Sequence, residues 1–455
     1  MKKKRWICLL LACALALSAC GSKEKEEEDS GIIRLTYAVL NEKAAGEAMA
    51  EARRFNSTHM DVKVDVKEYY NKGGRRGKDL LLTEIMAGKI PDIIHLGDDL
   101  SSDRDPEAAS RLSYYVLARK GYLEDLWPYI ENDPDLGREG VIEAPLKAAE
   151  VDGGLYTIFG KVKIRATVVS ENFVGDRETW TLQEMQELFQ ALPEDAVMFP
   201  YWVDREYALR HVFANSIETY IDRDNGTCDF NNDNFKAALE FVRGFPTESE
   251  RTESAEDELA DQIRSGLLMQ YPFYIANSSY VQWADMYLGY GGQVRFLGVP
   301  TEDGSSGIFY ELGSRPIAMS SACQNKEAAW EFMRGTLLPQ YKNYDEMNKA
   351  LDGFSCLPVN RADYDLVMRA SLENKHDLFV TFGSLPYSPL HRATKENVAR
   401  FEDLMNRAEG IDLCDEDVLD IIREVAGAYF AGDKTLDEAA QLIQNRVTLY
   451  VNEVR

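Results

Sequence analysis

Hydrophobic and polar positions along residues 32–97 repeat with two different periods. Residues 32–40 are largely apolar and predict a buried strand. Ala45, Ala48, Met49, Ala52 and Phe55 recur at helical spacing and mark one helix face. Val62, Val64 and Val66 alternate with charged residues, the pattern of a half-buried strand. Residues 80–86 predict a helix that stops at Gly88, with Pro91 just beyond. DIIHL, residues 92–96, is a third short strand. Strand and helix in strict alternation imply a parallel-rich sheet covered by helices, and hence an α/β fold. Ligands of such sheets lie beyond the carboxyl ends of the strands, which puts residues 41–46 and 97–99 at a candidate rim.

Further along, Gly153-Gly154 predicts a turn before a strand-like stretch over 155–169. Thr181 and Glu184 have capping-box spacing, with Met185, Leu188, Phe189 and Leu192 behind them. Capped or periodic helices are predicted over 231–245, 255–264 and 326–334, and a strand over 267–275. The C-terminal region is helical. Residues 417–430 end at Gly432, and Thr435 with Glu438 opens a second capping box before Leu436, Ala440, Ile443, Val447 and Tyr450.

The N-terminus follows a different logic. Lys2, Lys3, Lys4 and Arg5 precede an apolar run, 7–17, that is too short to span a bilayer. Leu17-Ser18-Ala19-Cys20 then resembles a bacterial lipobox. The resemblance implies cleavage of residues 1–19, lipidation of Cys20 and an extracytoplasmic location at the cell membrane. SKEKEEEDSG, residues 22–31, is charged and without apolar periodicity, so residues 20–31 are read as a flexible acidic tether.

At 455 residues the chain is too long for one compact core. Its 45% apolar content allows large cores. The net charge is −26, and loss of residues 1–19 removes four cations and no acid, leaving −30. A surface of this sign repels nucleic acid and anionic lipid, so neither is an expected partner. Beyond the leader and Cys20, the cysteines Cys228, Cys323, Cys356 and Cys414 have no framework spacing. Four thiols could pair in three ways, and isolated buried thiols are the expectation.

The ordered segments KIPDIIHLG, RKGYLEDLWPYIENDPDL, GGLYTIF, TWTLQEMQELF, VRFLGVPTEDG, NKEAAWEFMRGTLLP and AYFAGDKTLDEAAQLIQNRVTLYVNE together resemble the family 1 extracellular solute-binding proteins of ABC importers, the carbohydrate-binding group that includes maltose-binding protein. The resemblance covers nearly all of the mature chain. It implies a two-lobed periplasmic-binding-protein-like fold of type II, each lobe a sheet flanked by helices, joined by a hinge crossed three times. By segment matching, lobe 1 would hold residues 31–163 and 307–350, and lobe 2 residues 164–306 and 351–455. The crossings would fall near 162–165, 304–307 and 353–355. A ligand between the lobes would stabilise the closed form, which would deliver it to the permease.

Sugar recognition needs flat aromatic faces and polar partners for hydroxyls. Tyr201 and Trp202, beside Asp204 and Arg205, offer both. Phe273 and Tyr274 lie where relatives place a stacking aromatic, and alternate side chains of one strand point oppositely. Asp98 and Asp99 follow the DIIHL strand, where the family has acidic hydroxyl acceptors. Arg165 lies on the first crossing, Glu311 and Ser314 on the return, and Tyr387 precedes a helix that borders the cleft in relatives. Each also has a plain structural reading: core packing for the aromatics, a solvated turn for Asp98-Asp99, a surface salt bridge for Arg165.

Signatures of covalent chemistry are missing. HExxH does not occur; 304–307 is GSSG, not GxSxG; and 73–78 has the wrong spacing for a phosphate loop, with Asp79 where Ser or Thr belongs. DRDNG, residues 222–226, fits a hairpin turn better than a calcium loop. No enzyme activity, cofactor or metal is expected. The implied partners are a carbohydrate, the permease and, through the lipid, the membrane; the chain is read as a monomer. Two other classes remain open: a surface glycosidase, which needs two carboxylates about 5–10 Å apart across a sugar, and a partner that presents its ligand to a membrane sensor kinase.

Overall fold

The structure is a computed structural model that describes residues 31–40, 42–69, 75–97, 112–213, 217–250, 255–350, 356–373, 393–411 and 415–454. Its principal elements begin with β1 (Ile33–Val39), α1 (Glu42–Thr58), β2 (Val62–Glu68), α2 (Arg75–Met86), β3 (Ile93–His95) and α3 (Tyr114–Arg119). The long strand β4 (Lys161–Ser170) is followed by α4 (Leu182–Gln190), α5 (Arg205–Phe213), β5 (Ile221–Asp222), β6 (Thr227–Cys228) and α6 (Asp233–Arg243). Next come β7 (Gln270–Ile275), α7 (Ser278–Leu288), β8 (Val294–Leu297), β9 (Phe309–Leu312), β10 (Ile317–Met319) and α8 (Lys326–Met333). The last are β11 (Leu357–Pro358), α9 (Arg361–Glu373), α10 (Lys395–Arg407), β12 (Gly410–Ile411), α11 (Glu416–Phe430) and α12 (Leu436–Val454).

The first sheet has the order β10-β3-β1-β2. Its three early strands are parallel, as their alternation with helices predicts, and β10 returns from late in the chain to pair antiparallel with β3. The second sheet is built on β4, whose β-branched run KVKIRATVVS favours an extended strand. β11 and β7 flank it on one side, β9 and β8 on the other, all antiparallel, and β12 adds to β9 in parallel. The parallel expectation therefore holds for the first sheet only, because hairpins and returning segments build the second.

Local signals act as expected. Thr181 and Glu184 close a reciprocal capping box on α4. Thr435 and Glu438 bond in the same way before α12. Asp222 Oδ1 accepts from Asn225 N at 3.0 Å in the tight turn between β5 and β6, with Gly226 at φ +66°.

Three chain segments meet where the sheets join. Ser314 Oγ accepts from Gly160 N (2.8 Å) and Lys161 N (3.0 Å), and Gly313 N donates to Lys161 O (2.8 Å). Val359 N donates to Gly160 O at 2.9 Å. A Cβ at Gly313 would lie 2.8 Å from Cys356 Sγ, so this close approach needs glycine. Residues 313–314 thus lie against residues 160–161, which lead into β4. Residues 304–307 lie in the β8–β9 connection, where Val299 N bonds Gly307 O, and β9 belongs to the second sheet. The third crossing at 353–355 lies outside the described residues.

The larger buried cluster runs from the first sheet, through Val162, Leu312 and Leu357, onto the face of the second sheet formed by Ile164, Ala166, Val168, Ile275 and Tyr310. A second cluster fills the opposite face, where Val169, Met269 and Leu297 meet Met185, Leu209, Leu239, Val418 and Ile443. Cys228, Cys323 and Cys356 carry free thiols, and Cys414 is outside the described residues. No described helix is long and apolar enough to cross a membrane.

Candidate functional site

The pleat of β4 sets the site. Val162, Ile164 and Ala166 point into the larger core, so Lys163, Arg165 and Thr167 point the other way. Arg165 pairs across the sheet with Tyr274 on β7 and Phe309 on β9, and Lys163 pairs with Glu311 on β9. These residues share one face close to the crossing.

Arg165 is buried, 4% exposed, and Glu311 is 2% exposed. The guanidinium Nη1 lies 3.9 Å from Glu311 Oε2. Three rings surround that cation: Phe309 at 5.2 Å, Tyr274 at 5.8 Å and Tyr207 at 5.9 Å from the guanidinium carbon. Ring faces attract cations through their quadrupole, which helps offset the desolvation of a buried charge. Lys163 Nζ sits 5.4 Å from the centroid of the same Tyr274 ring. Burial pushes the Tyr207 phenol well above its ordinary range, and the nearby Arg165 charge only partly opposes this.

Helix α5 delivers Tyr207. Asp204 Oδ1 accepts from Tyr207 N at 2.8 Å and the Asp204 carbonyl accepts from Ala208 N, which together cap the helix. Arg205 turns away and donates to the Arg243 and Phe245 carbonyls at the end of α6. The Asp204-Arg205 pair thus organises two helix ends. Trp202 packs edge-on against Tyr207 (4.9 Å) and Tyr271 (5.8 Å), and with Tyr201 it is half-buried.

Phe273 and Tyr274 part company. Tyr274 joins the Arg165 row, while Phe273 stacks on Trp283 of α7 at 4.7 Å and 16°. The structure therefore gathers Arg165, Tyr274 and Glu311, sets Trp202 beside them through Tyr207, and sends Phe273 to the opposite face. Arg165 is not on the surface; its partner is a buried carboxylate. Asp98, Asp99, Tyr387 and Cys20 lie outside the described residues, as do the leader and tether; Gly97 ends the described stretch after β3, at φ +142°. Sequence reasoning missed Lys163, Tyr207 and Phe309. Strand alternation from Arg165 carries a signal for Lys163 alone. The arrangement joins aromatic ring faces to a buried cation and carboxylate.

Residues 37–334 match the model of the bacterial extracellular solute-binding protein family. Among solved structures, the chain resembles the sugar-binding protein MalE from the phytopathogen Xanthomonas citri, with 17% identity, 92% of this chain and 98% of that chain covered, and a TM-score of 0.52. It also resembles a putative oligosaccharide periplasmic-binding protein from Synechococcus sp. MITs9220, with 15% identity, 92% and 99% coverage, and a TM-score of 0.51. Both likenesses concern the fold, a two-lobed α/β architecture. No curated protein matches the sequence. Because the family model spans well over half of its length, the chain belongs to the bacterial extracellular solute-binding proteins.

Proposed function

We propose that this protein is the substrate-binding lipoprotein of an ABC importer, capturing a carbohydrate, an oligosaccharide in the first instance, between its lobes and delivering it unchanged to the membrane permease. Residues 1–19 are removed, Cys20 carries the lipid, and the acidic tether holds a monomeric body outside the cytoplasmic membrane. Two acyl chains anchor far more firmly than one, which a body of net charge −30 requires. The family match over residues 37–334 is the observation that carries this reading. The aromatic and charged row at β4 supports it, with Trp202 and Tyr274 as stacking faces and Arg165 and Glu311 as the polar floor; Asp98, Asp99 and Tyr387 complete the proposed set.

Thermal-shift screening of the mature chain against a glycan panel tests the proposal. A true ligand at 100 times its Kd adds about 2.7 kcal/mol of stability. Trp202→Ala and Tyr274→Ala should each remove most of that shift while leaving the unliganded melting temperature within a few degrees. Absence of any glycan response overturns the ligand class. Turnover of chromogenic glycosides at ordinary enzymatic rates overturns the receptor role.

A further inference from the structure

Lys78 lies near the start of α2, which packs on the first sheet through Leu81 and Ile85. Asp417 lies in the first turn of α11, which packs in the second core through Val418, Leu419 and Ile422. The two residues are 339 positions apart in the chain. Lys78 Nζ stands 2.8 Å from both Asp417 Oδ1 and Oδ2, and Lys78 is only 9% exposed. A lysine is seldom buried to this degree unless a counter-charge accompanies it.

The surroundings of Asp417 explain why a cation from the other lobe is wanted. Asp415 is fully buried beneath it, and Glu416 and Glu218 stand close by. Among the described residues, two cations of lobe 2 answer these acids. Arg223 bonds Glu218 (2.6 Å) and Asp415 (3.0 Å), and Arg210 bonds Glu416 (2.8 Å). Tyr450 Oη donates to Asp415 at 3.0 Å and lies 3.4 Å from Asp417 Oδ2. Among the described residues four carboxylates against two guanidiniums leave this rim acidic, and Lys78 enters it from α2. A second bridge runs parallel: Arg119, at the end of α3, is bound to Asp152 of its own lobe (3.2 Å) and reaches Asp224 in the β5–β6 turn (3.4 Å). Asp224 is 88% exposed, so this outer contact contributes little.

We propose that Lys78 and Asp417 form an electrostatic latch that favours the closed form without touching the ligand, and so sets the strength of capture and its sensitivity to ionic strength. The inference rests on the two-lobed binding role above. It does not depend on which solute is bound. Opening returns the Lys78 ammonium to water and leaves the lobe-2 rim with its acid excess. Closure restores both partners, so the pair biases the equilibrium toward the form that holds a ligand.

Small-angle scattering of the mature, unliganded chain reads the latch directly. Wild type should expand as NaCl rises from 0.05 to 1 M on the order expected for a screened pair. Lys78→Gln and Asp417→Asn should already be expanded at low salt and show a flattened salt response. The exchange Lys78→Asp with Asp417→Lys should recover part of the compact form. On whichever solute the thermal screen identifies, each single variant should weaken affinity about tenfold, within the usual range of coupling energies. Circular dichroism confirms folding; Asp417→Asn, which keeps shape and exposure, decides the matter if Lys78→Gln fails to fold. Scattering curves for Asp417→Asn that superimpose on wild type at every salt concentration overturn the latch. Because that measurement uses no sugar, a failed glycan screen leaves it interpretable.

Discussion

Glu311→Gln removes one charge from the buried pair at the crossing while keeping the side chain's shape. At the observed 3.9 Å, with an effective dielectric of about 20, the attraction between Arg165 and Glu311 is about 4 kcal/mol. Both residues are almost fully out of water, so deleting one charge leaves the other less well compensated in a low-dielectric setting, and breaking such pairs costs about 3–5 kcal/mol. Phe309, Tyr274 and Tyr207 remain around the guanidinium and each returns about 0.5–1 kcal/mol, which places the expected loss near 2 kcal/mol. Urea denaturation followed by far-UV circular dichroism gives the number by linear extrapolation. Arg165→Met in the Glu311→Gln background should recover much of the loss, giving a coupling energy of about 2 kcal/mol or more in a double-mutant cycle. A loss below about 1 kcal/mol, with additive single effects, would show that the rings alone hold Arg165 and that the pair does not act as a unit.

Asp133 accepts from Arg334 Nε (2.6 Å) and Nη2 (2.8 Å), from Trp330 Nε1 (2.9 Å) and from Asp135 N (2.9 Å). Burial pushes its carboxyl up, but Arg334 and the other donors outweigh this and hold it below the usual range. A depressed native pKa stabilises the fold above the unfolded value of about 4, and the gain is lost as pH falls through the native one. Asp133→Asn should therefore cost about 3 kcal/mol at pH 7, and its urea midpoint should converge on wild type below pH 4. Ser314→Ala leaves the Gly160 and Lys161 amides without the hydroxyl that accepts from both, a loss of about 2 kcal/mol. Hydrogen exchange at those two amides should quicken while exchange in β1 stays slow; unchanged protection at Gly160 would refute the role given to Ser314.

The parts of the fold that could be read from the sequence are those held by local physics. The β1-α1-β2-α2-β3 alternation, the Thr181 and Thr435 capping boxes and the DRDNG turn each depend on residues within a few positions of one another. β9, β11 and β12 span two to four residues each and owe their existence to β4 or to one another, so no periodicity announces them. The composition of 304–307 reads as a loop, and it is one, but chain reversal within one sheet and passage between sheets look alike in composition. At the site, alternation says that Phe273 and Tyr274 must separate without saying which meets Arg165. The cross-strand register that seats Lys163 opposite Glu311, and the cap that aims Tyr207, exist only once the sheet and α5 are assembled.

The larger core passes unbroken from the first sheet through Val162, Leu312 and Leu357 into the second. The first sheet therefore shares its interior with the second, although the second also has a core of its own around Val169, Met269 and Leu297. A gene fragment encoding one half would expose a raw apolar flank and should be made as aggregate, so evolution by swapping halves between relatives is closed to this architecture unless the shared strands travel with them.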